Sequence, residues 1–286
     1  MITNNQLEQY KEQGFIVVPN VLSANELQTL RTELADVVAK SSQVTENDRV
    51  YDLEDTHTPD SPRVRRVKYP HTVMPSVKAL IRKPELVEIL KQLIGPGVRF
   101  QTAKLNMKSA GYGAPVEWHQ DWAFYPHTNQ DLLAVGVMID DMDLNNGPMQ
   151  VVPGSHKGPV YDHHSNGFFC GAIDPTKADC AFDSAVPLTG TAGSMTFHHV
   201  RAVHGSAPNT SDKSRNFLLF QFTAVDAWPL TEAITNIEKY DANIVAGEPT
   251  LSPRTEDVPI RLPLPPAPSA GSIYENQRTL ENRYFS

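Results

Sequence analysis

Cysteine is nearly absent from this chain: its 286 residues hold two, Cys170 and Cys180. A disulfide framework is thereby excluded as the organising device, and neither residue belongs to a zinc-ligand spacing. Positive charge is also short. A formal net charge of −8 and a pI near 5.7 leave no basic stripe able to track a phosphate backbone, which argues against nucleic acid as a partner. The one basic cluster, Arg63 to Lys68, is interrupted by valines and reads as local structure. No apolar run approaches the ~18 residues of a membrane span. The opening Met1-Ile2-Thr3-Asn4-Asn5 lacks the basic-then-apolar pattern of a secretory leader. These absences lead to an expectation of a cytoplasmic protein that engages neither membrane nor nucleic acid.

What is present is an ordinary globular balance, 40% hydrophobic and 20% charged residues, enough for a real core. The expected organisation is one domain over 1–286, in three parts. Residues 1–99 read mainly helical. Thr3 caps a short helix stopped by Gly14, Phe15 to Val18 is a buried strand, and Ser23 to Glu26 is a capping box opening a helix with Leu27, Leu30, Leu34, Val37 and Val38 at helical spacing. Residues 41–63 read as loop, and Val77 to Leu93 as two helices with Pro84 starting the second. From Phe100 to about residue 230 the period shortens. β-prone runs (Leu132–Ile139, Met149–Val152, Met195–Phe197, Phe217–Val225) alternate with turn clusters, the pattern of a mainly β jelly roll with flanking helices. Residues 231–286 form a C-terminal extension. Its stretch from Gly247 to Ala270 carries seven prolines and reads as an extended arm over the core or over a neighbouring subunit, which leaves a homo-oligomer open.

The densest chemical signal is Trp118-His119-Gln120-Asp121, answered far along the chain by His204. Two imidazoles and a carboxylate are the ligand set of a facial triad, which grips one face of non-haem Fe(II) and leaves the other open. On a strand, residues i and i+2 share a face, so His119 and Asp121 can hold one metal together. Trp118 and Trp122 flank the pair as an aromatic wall, and His204 falls after the strand Gly193 to His199, at the start of a polar turn. Arg215 precedes the apolar run Phe217 to Phe220. A buried guanidinium needs a partner, either a structural Asp or Glu or the carboxylate of a ligand. A reducing compartment suits a ferrous site.

Together, His119-Gln120-Asp121, Asn146-Gly147-Pro148, Val152-Pro153-Gly154-Ser155-His156-Lys157 and His204-Gly205-Ser206-Ala207-Pro208-Asn209 ending in Arg215 resemble the phytanoyl-CoA dioxygenase family. The opening Gly14 to Pro19 before a capped helix also looks like that family's start, and the resemblance spans about residues 5–230. It implies a double-stranded β-helix and a reaction using Fe(II), 2-oxoglutarate and O2, with succinate and CO2 released as an aliphatic C–H of a small molecule is hydroxylated. It further implies that His119, Asp121 and His204 ligate iron, and that Arg215 binds the distal carboxylate of 2-oxoglutarate with help from Ser206. Lys104, Asn106 and Lys68 are implied as further co-substrate contacts; for both lysines the residues alone leave a solvated surface role open. The carboxylate at Asp121 favours oxygenation, since halogenating relatives carry a small residue there.

Trp122, Phe124, Tyr125 and His127 follow the metal motif and are placed either to line a substrate pocket or to fill core, Trp122 and Tyr125 being the substrate candidates. His156, His163, His164, His198 and His199 read as turn or strand residues, with His198 or His199 near the metal as the exception. Competing readings are an oxygenase of proteins or nucleic acids, a jelly-roll binding protein without catalysis, and a cupin-like zinc or manganese enzyme. The intact triad and Arg215 weigh against the last two. Desaturation, epoxidation or rearrangement remain open outcomes of the same chemistry, and fold similarity names no substrate.

Overall fold

A computed structural model describes residues 1–111, 113–268 and 271–285. Ser269 and Ala270, the last two residues of the proline-rich stretch, lie outside that set. The chain opens with α1 (Asn4–Gln13), β1 (Phe15–Val18), α2 (Ala24–Lys40), β2 (Tyr51–Leu53), β3 (Val64–Lys68), α3 (Pro75–Leu80) and α4 (Pro84–Ile94). The predicted caps are present. Thr3 and Ser23 each form a capping box, and Gly14 closes α1 at φ 83°, a left-handed conformation that favours glycine. Two strands were hidden in the first third. Residues 41–63 contain β2, and the basic cluster is β3, whose cations are used within the chain: Arg65 meets Glu54 at 3.0 Å on one face, and Lys68 meets Asp52 at 2.6 Å on the other.

The β-rich portion follows as β4 (Val98–Lys108), β5 (Val116–His119), β6 (Leu132–Met138), β7 (Met149–Val151), β8 (His164–Ser165), β9 (Phe168–Phe169), β10 (Val186–Pro187), β11 (Met195–His199), β12 (His204–Ser206) and β13 (Arg215–Ala224). Beyond it come α5 (Ile237–Asp241), β14 (Ile244–Ala246) and α6 (Ile273–Asn276). The major sheet runs β1-β11-β6-β13-β4-β3-β2, with β14 added on β4, and the minor sheet runs β10-β7-β12-β5. Pairing in both is antiparallel, as in a jelly roll.

Period-two alternation explains how the major sheet sits between two layers. On β13, Leu218, Phe220 and Phe222 join Leu30, Leu34, Leu86 and Leu90 of the helices in the main core. Phe217 and Leu219 face the other way, onto Met149 and Val151 of the minor sheet. β4 reads the same way: Ala103 and Leu105 enter the helix-side core, while Lys104, Asn106 and Lys108 turn to the space between the sheets. The proline-rich arm lies along this same chain, with Glu256 N donating to Thr128 O and Phe169 N to Pro265 O. Among the described residues no helix is long and apolar enough to cross a membrane.

The Ser23 box opens the helix that covers the sheet, so Ser23→Ala is expected to lower stability by about 1 kcal/mol. Urea unfolding measures it; an unchanged midpoint would show that the cap contributes nothing to the fold.

Candidate metal centre

Antiparallel pairing of β12 with β5 sets His204 directly opposite His119. His204 is thus the first residue of a strand, not the opening of a turn as the sequence suggested. Asp121 also differs from expectation, since β5 ends at His119 and Asp121 begins a short 3-10 turn, Asp121–Ala123. Gln120 between them keeps extended backbone at φ −118° and ψ 128°, so the alternation persists and both side chains point the same way. One potential ligand atom from each of His119, Asp121 and His204 lies within 4.8 Å of the others, all three residues buried.

The surroundings fix which atoms are free. His119 Nδ1 lies 2.8 Å from Glu117 O, and His204 Nδ1 2.9 Å from Ala202 O. A carbonyl only accepts, so each Nδ1 carries the hydrogen and donates, leaving the Nε2 lone pair to face the cluster. Burial depresses the His119 pKa to about 4. Burial, with repulsion from His119 and His198, holds His204 well below the usual imidazole value. For Asp121, burial pushes the pKa up. Contact with His198 and the charges of Lys104 and His204 outweigh it, and the carboxyl stays ionised well below the usual range. Two neutral imidazoles and one carboxylate are the donor set a divalent iron accepts, and the side toward the cavity is open.

Beyond the triad, Thr102, Lys104, Asn106 and Lys108 line the same cavity from β4, and Arg215 and Ser206 close its far end. Arg215 is 3% exposed, donates to Gly147 O, and has a pKa brought down to about 10 by burial. Lys108 is 1% exposed and donates to Ser206 Oγ at 2.8 Å; burial, then repulsion from Arg215, lowers its pKa strongly. No carboxylate of the described residues comes within 4.0 Å of either cation, so the structural ion pair considered for Arg215 is absent. Lys104 and Asn106 reach the metal cavity as expected. Lys68 does not: it is drawn to Asp52 and to Asp48 O at 2.7 Å, at the cavity mouth.

The same alternation corrects the aromatic wall. With His119 and Asp121 facing inward, Trp118 and Trp122 must face outward. Trp118 packs on Phe182, Tyr284 and Phe285, and Trp122 donates from Nε1 to Pro259 O, anchoring the arm. Trp122 is therefore not a wall of the cavity. Tyr125 is: with Phe124 and His127 it lines a cavity of about 460 Å³ that reaches Asp121. Gln120, also outward, ties the loops down by donating to Pro159 O and Arg201 O while its Oε1 accepts from Tyr161 N.

Two participants went unassigned from the sequence, and His198 was left as an alternative to His199. Lys108 has the same parity as Lys104 and Asn106 on β4, a signal available once the strand is recognised. His198 places Nε2 3.6 Å from Asp121 Oδ2, whereas His199 packs away against Tyr10 and His156. The second unassigned participant is the C-terminal segment. Ile273 and Tyr274 of α6 line the metal cavity, and Gln277 Oε1 accepts from Glu117 N on the strand that bears His119. No local periodicity announces so distant a contact.

Comparison with known proteins places this geometry. Residues 10–217 match the phytanoyl-CoA dioxygenase (PhyH) family. A probable alpha-ketoglutarate-dependent hypophosphite dioxygenase of Stutzerimonas stutzeri is 37% identical over 284 residues, covering 98% of this chain and 99% of that protein. The L-proline trans-4-hydroxylase of Streptomyces griseoviridis is 30% identical over 240 residues, 77% of this chain and 86% of that one. Among solved structures, EctD from S. alaskensis with 2-oxoglutarate and 5-hydroxyectoine superimposes with a TM-score of 0.66 at 23% identity, covering 93% and 88% of the two chains. The protein is accordingly a 2-oxoglutarate-dependent non-haem iron dioxygenase, and the chain belongs to the phytanoyl-CoA dioxygenase (PhyH) family.

Proposed function

We propose that the protein hydroxylates a small molecule, with His119, Asp121 and His204 as the iron ligands and Arg215, Lys108 and Ser206 as the seat of the 2-oxoglutarate distal carboxylate. Together, Fe(II) and 2-oxoglutarate supply the oxidising power: one oxygen atom of O2 ends in succinate, formed with CO2, and the other in the hydroxylated product. The observation that carries this reading is the acid-free cation pair, Arg215 with Lys108, buried at the far end of the cavity that holds the triad. Two such charges without a carboxylate are costly unless a ligand brings one. The planar fork of Arg215 suits a carboxylate, and Lys108 adds a second charge beside it.

The residues around this core orient and seclude. Glu117 and Ala202 carbonyls set the imidazole tautomers, and His198 leans on the Asp121 carboxylate. Ile273 and Tyr274 close one wall against water. The substrate approaches through the cavity bordered by Phe124 and Tyr125, next to Asp121. An aliphatic C–H is one target. A P–H bond is the second reading, favoured by the hypophosphite named for the relative that matches nearly end to end and by the polar face of β4. In either case one hydrogen is replaced by hydroxyl and the balance of atoms is the same.

The test is Fe(II)- and 2-oxoglutarate-dependent succinate release. His119→Ala and Asp121→Ala are expected to abolish it with the circular dichroism unchanged; full turnover in either would remove the triad from the mechanism. Arg215→Ala is expected to weaken 2-oxoglutarate binding about tenfold to a hundredfold, the worth of charge-assisted hydrogen bonds, and Lys108→Met about tenfold. Calorimetric affinity equal to that of the unaltered protein would return both cations to a structural role.

A further inference from the structure

The inner face of the major sheet holds more positive charge than the iron-site carboxylate and one dianionic co-substrate take up. Strand register defines that face. Arg66 lies opposite Asn106, Lys68 opposite Lys104, and Arg215 opposite Lys108. Directly opposed residues share a face, so all five cations look into the space that runs from the metal to the mouth. The carboxylates facing them are few. Asp121 belongs to the metal, Asp52 is committed to Lys68 at 2.6 Å and stands 3.9 Å from Arg66, and Glu232 is exposed at the rim.

Lys104 is the cation left over. Among the described residues it makes no hydrogen bond and has no carboxylate within 4.0 Å, although it lines both the metal cavity and the larger one beside it. Arg66 stands on the neighbouring strand with Nε buried and without a hydrogen-bond partner. Across the cavity, His127 Nε2 is also buried without a partner. Lys104 and Lys108 have backbones ~14 Å apart, four residues at ~3.4 Å each, so one carboxylate seated at Lys108 does not also serve Lys104. With the distal carboxylate of the co-substrate on Arg215 and Lys108, Lys104 stands nearer the metal, where a second anion can meet it.

We propose that the substrate is a small oxyanion, bound beside Asp121 with Lys104 as its principal anchor and Arg66 behind it. A lysine ammonium is a compact charge with three rotatable donors, which suits a small tetrahedral oxyanion, whereas the flat guanidinium at the far end suits a carboxylate. A cleft in which cations outnumber carboxylates also concentrates such an ion at the metal. A neutral or cationic substrate would leave Lys104 with the metal-site carboxylate of Asp121 as its nearest counter-charge.

This proposal rests on the reading of Arg215 and Lys108 as the co-substrate seat, and the experiment separates the two. Anaerobic protein loaded with Fe(II) and 2-oxoglutarate is titrated calorimetrically with sodium hypophosphite, sodium phosphite, sodium acetate and, as a cationic control, tetramethylammonium chloride. At least one oxyanion is expected to bind and tetramethylammonium not to. Lys104→Met is expected to weaken that oxyanion at least tenfold while the affinity for 2-oxoglutarate stays within twofold, and Lys104→Arg, which restores the charge, to recover part of the loss. Absence of oxyanion binding, equal oxyanion affinity in Lys104→Met, or a tenfold loss of 2-oxoglutarate affinity in that variant would each overturn the assignment. Preference among hypophosphite, phosphite and acetate tells phosphorus oxyanion from carboxylate. Slow succinate release without any added oxyanion reads the oxygenase chemistry independently, so its loss would indict the underlying function and not the anion site.

Discussion

One cross-strand register holds the site together. Because β12 runs antiparallel to β5 with His204 facing His119, two imidazoles separated widely in the chain are brought to a ring separation of 4.1 Å. A slip of one residue would turn His204 away and present Val203 or Gly205 in its place. The register is secured from outside the triad. Gln120 staples two loops to the end of β5, Gln277 and Glu117 clamp the C-terminal segment to the same strand, and Tyr284 and Phe285 pack on Trp118 behind it. A metal site needs its ligands preorganised, and here the preorganisation is supplied by the outward-facing half of the strand that carries them.

The second constraint is electrostatic. β3, β4 and β13 turn apolar residues to the helices, while their cavity face, apolar at Phe217 and Leu219, carries Arg66, Lys68, Lys104, Lys108 and Arg215. Burying cations is unfavourable unless anions accompany them. The protein meets part of that demand with Asp52 and Asp121 and leaves the rest to what binds. Its acidic overall balance conceals this: net charge −8 describes the surface of the molecule and not the lining of its cavity.

Much of this was legible in the residues. Local signals served well where local physics decides: Thr3, Ser23, Gly14 and Pro84 mark helix ends because caps and backbone dihedrals act over a few residues. The triad was legible because His-x-Asp on extended backbone needs only period two. The same rule, applied one step further, would have sent Trp118 and Trp122 outward; their aromatic character suggested a pocket wall, but parity overruled it. β2 and β3 were not recognised because Asp52, Arg65, Arg66 and Lys68 make them look solvated, and their partners lie across the sheet. Lys68, a co-substrate contact only as the resemblance implied, meets Asp52 at the cavity mouth, a partner that its local sequence does not reveal. The contribution of Ile273, Tyr274 and Gln277 depends on tertiary contact alone, which no window of sequence displays.

The central claim is that His119, Asp121 and His204 form one iron site next to a carboxylate seat at Arg215 and Lys108. An anaerobic titration of the metal-free protein with Fe(II) and then 2-oxoglutarate addresses it directly, by following the visible metal-to-ligand charge-transfer absorption. The account predicts that the band grows with 2-oxoglutarate and saturates at one equivalent of iron per chain. Stoichiometric iron binding with no band on addition of 2-oxoglutarate would contradict it.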